Sequence, residues 1–366
     1  MKVTCKVEPL VRGVEIVQNC VSVSGAIPII SNILVEEKEG RLELTATNLE
    51  IGIRTSLEAD VKEAGAVALL ARKMSDIVRE LPAKEVVSME TAEGYVALEC
   101  GNSHFKVNSS NAEDFPRLQV FESEESFGVK GQELAKLIHK NIFAVSEVES
   151  RYTMNGLLME FEGEELRVVG TDGRRLTYGM TTPSSGVAKE QIRCIVPKQA
   201  AREVARLFDV EGEVRIQVCD TQILFECGET VLISRLISGQ FPDYQRVIPK
   251  DYKKEAVVNR EGLLATCRRV GTMTLKERDA VKLTFEEGAS VAAVSTPDVG
   301  EATEELVVEY KGDHIEVAYK VDYIVEVLKV IESDQVRIEF TTSDKAAVLR
   351  PVGDEDYLCV LMPMKY

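Results

Sequence analysis

Few residues of this chain have the type and spacing that covalent chemistry needs. Its three histidines, His104, His139 and His314, form no His-x-x-x-His pair and no recognisable Ser-His-Asp arrangement, so neither a zinc hydrolase nor a nucleophilic triad is indicated. The eight cysteines, at 5, 20, 100, 194, 219, 227, 267 and 359, contain no Cys-x-x-Cys pair. That suits reduced thiols in a cytoplasm and argues against a disulfide framework or a zinc site. The 61 carboxylates of a chain with net charge −17 are the ordinary solvated surface of an acidic protein. Thr171-Asp-Gly-Arg-Arg could be a phosphate-binding turn, but it lacks the spacing of a P-loop or of Gly-x-Gly-x-x-Gly, and Asp172 reads better as a turn former. No catalytic residue, metal or cofactor is expected.

The spacing does place positive charge on helices. In Pro197-Lys-Gln-Ala-Ala-Arg-Glu-Val-Ala-Arg-Leu-Phe208, proline suits a first helical turn, and Ala201, Val204, Ala205 and Phe208 make an apolar face. Lys198, Arg202 and Arg206 fall at i, i+4 and i+8, a separate basic stripe. Helices are predicted at 8–20, 71–81, 131–143, 197–208, 260–271 and 321–332. Their formal charges are −1, +1, +1, +2, +2 and −2, which sum to +3 and leave −20 for the rest of the chain. Basic residues on a solvated helix face are unexceptional one helix at a time; they matter if all six helices face one surface. The acidic total excludes only a uniformly basic surface, because a ligand feels the local field.

Strands that alternate with period two connect these helices, for example Arg41-Leu-Glu-Leu-Thr-Ala and His314-Ile-Glu-Val-Ala-Tyr-Lys, divided by Gly- and Asp-containing turns. The pattern recurs three times. Val86-Val-Ser-Met-Glu-Thr, Val214-Arg-Ile-Gln-Val-Cys and Val336-Arg-Ile-Glu-Phe-Thr each open an alternating run, and the first two lead to Glu99-Cys-Gly and Glu226-Cys-Gly, then to Phe115-Pro and Phe241-Pro. An earlier echo joins Thr47-Asn-Leu-Glu, Thr171-Asp-Gly-Arg and Thr296-Pro-Asp. The offsets, 124 to 127 residues in a chain of 366, exceed the roughly 20–50 residues of a solenoid repeat and fit three copies of one domain. Each copy reads as a helix pair on antiparallel sheet, an α+β layer design, with linkers near 119–127 and 246–256. No run approaches the ~18 apolar residues of a membrane span, and the opening Met1-Lys-Val-Thr-Cys-Lys-Val-Glu lacks the apolar centre of a signal peptide.

Four motifs carry a family resemblance. Arg151-Tyr-Thr-Met-Asn-Gly-Leu-Leu-Met-Glu with Gly170-Thr-Asp-Gly-Arg-Arg-Leu-Thr resembles the middle domain of the bacterial DNA polymerase III beta subunit, the sliding clamp. Ser238-Gly-Gln-Phe-Pro-Asp-Tyr-Gln-Arg-Val-Ile-Pro, the terminal Val360-Leu-Met-Pro-Met-Lys-Tyr and the early Ile27-Pro-Ile-Ile-Ser-Asn-Ile-Leu resemble its other signatures, in order over the whole chain. The resemblance implies three tandem copies of the DNA-clamp fold, at 1–120, 127–246 and 250–366, in a head-to-tail ring dimer with helices lining the hole. It implies a non-catalytic processivity factor of the bacterial cytoplasm that encircles duplex DNA without sequence specificity. Partners would be the polymerase III alpha subunit, the clamp loader, and other polymerases and repair proteins carrying clamp-binding peptides.

The residues that the resemblance assigns follow. Facing DNA would be Arg72, Lys73 and Arg79; Lys136 and Lys140; Lys198, Arg202 and Arg206; and Arg268 and Arg269. Contacts that slide should go to phosphate and not to base edges. The peptide pocket would comprise Met154, Thr171, Gly173, Arg174, Arg175 and Leu176; Pro242, Arg246 and Val247; and Tyr323, Val360, Met362, Pro363 and Met364. Methionines adapt to varied apolar ligands, although they could equally fill core. The ring seam would bring Phe105 and Val107 to Thr272 and Met273. The chain departs from the family pattern at Ser24, where an inner arginine is usual, at Arg174 (often histidine), at Lys320 (often asparagine) and at Thr272 (a larger apolar residue in some relatives). An enzyme and a static protein scaffold are the competing classes.

Overall fold

The computed structural model describes residues 1–21, 27–118, 120–123, 125–275, 280–297 and 299–364; Ser24 lies outside them. Six α-helices occur among them: α1 Val7–Val17, α2 Ala71–Glu80, α3 Gly131–Ile142, α4 Lys198–Leu207, α5 Arg260–Gly271 and α6 Val321–Val330. Each was expected within a few residues. Pro197 is the exception in detail, since it ends the strand Ala188–Pro197 opposite Gly156 and the helix starts one residue later. Each helix is half apolar, and that half is buried: Ala71, Met74 and Val78 on α2; Ala200, Ala201, Val204 and Ala205 on α4; Leu263, Leu264, Cys267 and Val270 on α5. Asn259 caps α5 by accepting the Gly262 N–H at 2.8 Å, satisfying a donor the first turn leaves unpaired.

The chain divides into two compact units although its sequence repeats three times. One comprises Met1–Gln132, Ser184–Gly186 and Arg206–Leu236. Its thirteen described strands form one antiparallel sheet. The copies are joined within it, because Thr230–Arg235 of the second pairs with Ile51–Glu58 of the first, Leu232 opposite Ile53. Helices α1 and α2 pack together within this unit.

The other unit comprises Glu133–Pro183, Val187–Ala205 and Ile237–Tyr366. Its nine-stranded sheet is joined in the same way: Arg175–Thr181 of the second copy pairs with Tyr357–Leu361 of the third, Leu176 opposite Val360. A further four-stranded sheet, Gly300–Leu306, Ala289–Thr296, Ala280–Glu286 and Ile315–Lys320 in spatial order, packs with α5. The core under α5 and α6 contains Cys267, Val281, Phe285, Leu328, Ile338, Phe340 and Tyr357, with the Phe285 and Phe340 rings 5.2 Å apart.

Both sequence echoes are turns. Gly101 and Gly228 of the Glu-Cys-Gly tripeptides have φ of +56° and +55°, a conformation that costs glycine little. In the Thr turns, Thr47 Oγ1 donates to Ile51 O at 2.9 Å and Thr171 Oγ1 to Arg175 O at 2.7 Å. Asn48 and Asp172 accept the backbone N–H groups of the residues two and three further on. The Asp172 carboxylate is therefore occupied by its own turn and is not part of a phosphate cradle.

Candidate functional site

The second Thr turn and the strand after it form one wall of a small apolar cavity. Of the fourteen residues assigned to the pocket, Met154, Thr171, Gly173, Arg174, Arg175, Leu176, Pro242, Val247, Val360 and Met362 line a cavity of about 100 Å³. Local chain chemistry explains the convergence. The ladder that sets Leu176 against Val360 continues as Met362 N–H donates to Arg174 O at 3.0 Å, which places the Met362 side chain beside the turn. Gly173, at φ +81°, lets the turn close tightly, and a Cβ there would come within 2.6 Å of Arg151 Nη1.

The opposite wall hangs from Tyr244, which the sequence assignment omitted although it stands in the Phe241-Pro-Asp-Tyr motif. Tyr244 and Phe241 are buried with Leu158, Val169, Leu176, Ile195, Val348, Leu358 and Val360, and that anchoring presents Pro242 and Val247 to the cavity. The Tyr244 hydroxyl donates to Glu160 Oε1 at 2.9 Å. Glu160 is only 1% exposed and is also held by Arg167 at 3.0 Å and Arg193 at 3.1 Å. A buried carboxylate requires such partners. Burial of the Tyr244 phenol raises its pKa from an ordinary 10 to about 12, so it remains a neutral donor.

Four assigned residues lie elsewhere. Tyr323 lines a neighbouring cavity, where the Arg175 guanidinium sits 4.3 Å from its ring centroid. Pro363 and Met364 line a third cavity with Lys282, Glu316 and Asp344. Arg246 is exposed and pairs with Asp243 at 2.8 Å. Arg175 borders the pocket, but its charge is turned inward. Its guanidinium donates to Asp172 at 3.0 Å, to Glu326 and to Phe143 O at 2.7 Å, which fastens the turn to α6.

The ten helix cations differ among themselves. Arg72, Lys73, Arg79, Lys136, Arg202, Arg206, Arg268 and Arg269 are exposed. Lys140 and Lys198 are not free charges: their side chains are 13% and 16% exposed and paired with Asp354 at 3.0 Å and Glu147 at 2.8 Å. Arg269 is held by Glu304 at 2.9 Å, and that bond lowers the Glu304 pKa to about 2. Of the seam residues, Phe105 is half-buried, Val107 is buried in its own unit, Thr272 is exposed, and Met273 packs on the core beneath α5. Among the described residues no group of His, Cys, Asp or Glu could hold a metal ion.

Tandem copies of a helix pair on antiparallel sheet, with exposed cations on the helices and one apolar pocket, define a DNA-clamp architecture. Models of the DNA polymerase III beta subunit match in order: the N-terminal domain at residues 1–119, the central domain at 128–243 and the C-terminal domain at 245–365. The chain is 32% identical over 369 residues to the beta sliding clamp of Pseudomonas putida and 31% over 373 to that of Escherichia coli K12; each alignment covers all of both chains. Among solved structures it is similar to the Pseudomonas aeruginosa clamp bound to griselimycin (30% identity, TM-score 0.96, all of both chains). It is also similar to the Bacillus subtilis clamp (25% identity, TM-score 0.96, 100% of this chain and 99% of that one). The chain belongs to the DNA polymerase III beta subunit family, the bacterial sliding clamps.

Proposed function

We propose that this protein is a ring-shaped processivity factor that encircles duplex DNA and tethers the replicative polymerase through the pocket between Leu176, Val247 and Met362. The observation that carries this reading is the ordered match of all three clamp domains along one chain. It acts as a non-catalytic subunit in the bacterial cytoplasm. Its partners are the polymerase III alpha subunit, the clamp loader and other polymerases or repair proteins bearing clamp-binding peptides. Exposed Arg72, Lys73, Arg206 and Arg268 supply the phosphate contacts, which carry no sequence information, while Arg202 lines the cavity beside the peptide pocket.

The sheet pairing supports a head-to-tail ring. Within each unit, the strand after a Thr turn in one copy pairs with the last strand of the next copy. Among the described residues two strands lack that partner. Gly300–Leu306 follows the third Thr turn and lies at a sheet edge. Ser103–Ser110 closes the first copy and is paired on its second side only at Ser109 and Ser110. The same rule applied between two protomers joins these edges, exposed Glu301 and Glu305 facing the strand of His104 and Lys106, and closes the assembly.

The test is topological. Protein loaded on nicked circular DNA should fall off when the circle is linearised. Salt-sensitive binding equal on circular and linear DNA would overturn the clamp reading.

A further inference from the structure

Beside the apolar pocket, and sharing its Arg174–Arg175 wall, lies a larger cavity of about 680 Å³ whose charge opposes that of the protein. The chain has 44 basic against 61 acidic residues, yet this cavity is lined by six cations (Arg151, Arg174, Arg175, Lys198, Arg202 and Lys320) and three carboxylates (Glu147, Asp172 and Glu326). All three carboxylates are already taken. Arg175 holds Asp172 and Glu326, and Lys198 holds Glu147. Arg151 donates to the Asp172 backbone carbonyl, and among the described residues the exposed guanidinium groups of Arg174 and Arg202 form no salt bridge, although Arg202 lies near enough to Glu147 to help lower its pKa. A concavity with one sign of surplus charge concentrates its field on whatever enters.

The neighbouring pocket sets the geometry of the occupant. At about 100 Å³ it is well below the roughly 300–1,000 Å³ of a small-molecule site, so it takes an anchoring side chain and leaves the rest of a peptide outside. The adjoining space is this basic trough, reached past Arg174.

Resting on the peptide-pocket reading above, we propose that the trough receives acidic side chains flanking the apolar anchor of the partner peptide. Arg174, Arg202 and Arg151 are then specificity-determining residues for acidic-flanked partners. Arginine suits the role because its planar fork pairs bidentately with a carboxylate. The contacts are solvent-accessible, so they rank partners and depend on salt, while the anchor supplies the common affinity.

The test uses fluorescent octapeptides with one leucine–phenylalanine anchor and flanks of three serines or three glutamates on either side, titrated by anisotropy against the full-length protein. At about 0.05 M salt the better glutamate-flanked peptide should bind about tenfold tighter than the serine-flanked one, with the gain fading by about 0.5 M. Arg202→Glu, which lines the trough and not the pocket, should abolish that gain and leave the serine-flanked affinity unchanged. Met362→Ala should weaken both peptides together. Equal binding of serine- and glutamate-flanked peptides overturns the trough proposal and leaves the pocket standing. Failure of every peptide to bind overturns the pocket reading, and the proposal with it. A single-stranded oligonucleotide that binds wild type but not Arg202→Glu, with no glutamate gain, would make the trough a nucleic-acid surface and likewise overturn the proposal.

Discussion

Removing the Tyr244 hydroxyl should loosen one wall of the pocket without disturbing the other. In Tyr244→Phe the ring keeps its packing, including its neighbour Tyr178 at 6.1 Å between centroids, and only the 2.9 Å bond to Glu160 is lost. Glu160 is buried and keeps Arg167 and Arg193, so its charge remains compensated. The loss is therefore that of one hydrogen bond to a charged group, about 1.5–3 kcal/mol. A chain of two compact units need not unfold in a single step, so a global midpoint would dilute the effect. A local reporter exists, because Val247 N–H donates to Tyr244 O at 3.0 Å. Its hydrogen exchange should accelerate about ten- to a hundredfold, while the amides of the Leu176–Val360 ladder are unchanged. Anchor-peptide affinity should fall as Val247 loses its position. An unchanged Val247 amide would refute the claim that the Tyr244–Glu160 bond holds this wall.

Other expectations follow from particular contacts. The Tyr244 pKa is raised in the folded protein, so the stability this phenol contributes is complete below pH 10 and lost as pH rises towards about 12; Val247 exchange corrected for intrinsic base catalysis should show that window. Gly173→Ala, at φ +81° beside Arg151, should destabilise by about 1–2 kcal/mol. Leu49→Gly at the equivalent turn, φ +75° and half-exposed, should instead be neutral to stabilising by up to about 1 kcal/mol, both read by thermal denaturation. Arg268→Ala should reduce the salt slope of DNA retention by about 0.9, and Arg269→Ala by less, because Glu304 already neutralises Arg269. Phe105→Arg should yield monomers by sedimentation; an unchanged mass would refute the seam.

The helices were legible because each has a clean apolar stripe, and the turns because Thr, Asx and Gly recur at one offset. The fate of individual charges was not legible. Arg175 meets Glu326 across 151 residues of sequence, and Lys140 meets Asp354 across 214; no local pattern marks either partner. Local spacing placed Lys198 in a basic stripe with Arg202 and Arg206, but Glu147 draws it into a cavity wall. The division into two compact units was equally hidden. A repeat in sequence reports how the chain was duplicated, whereas compactness follows strand pairing, and here each pairing joins half of one copy to half of the next.

That shared pairing also explains why similar joints behave differently. At the first joint the residue after Ile51 is Gly52, and a Cβ there would collide with Leu118. Leu118 stands three residues after Phe115, as Tyr244 stands three after Phe241. The first joint thus fills its own groove with a leucine laid against a glycine. At the second joint the position after Arg175 is Leu176, and the larger Tyr244 is drawn down to Glu160. Between them a cavity remains, into which Val247 and Met362 project. A glycine-for-leucine difference on the strand and a leucine-for-tyrosine difference on the loop thus change what fills the space between strand and loop at the two joints.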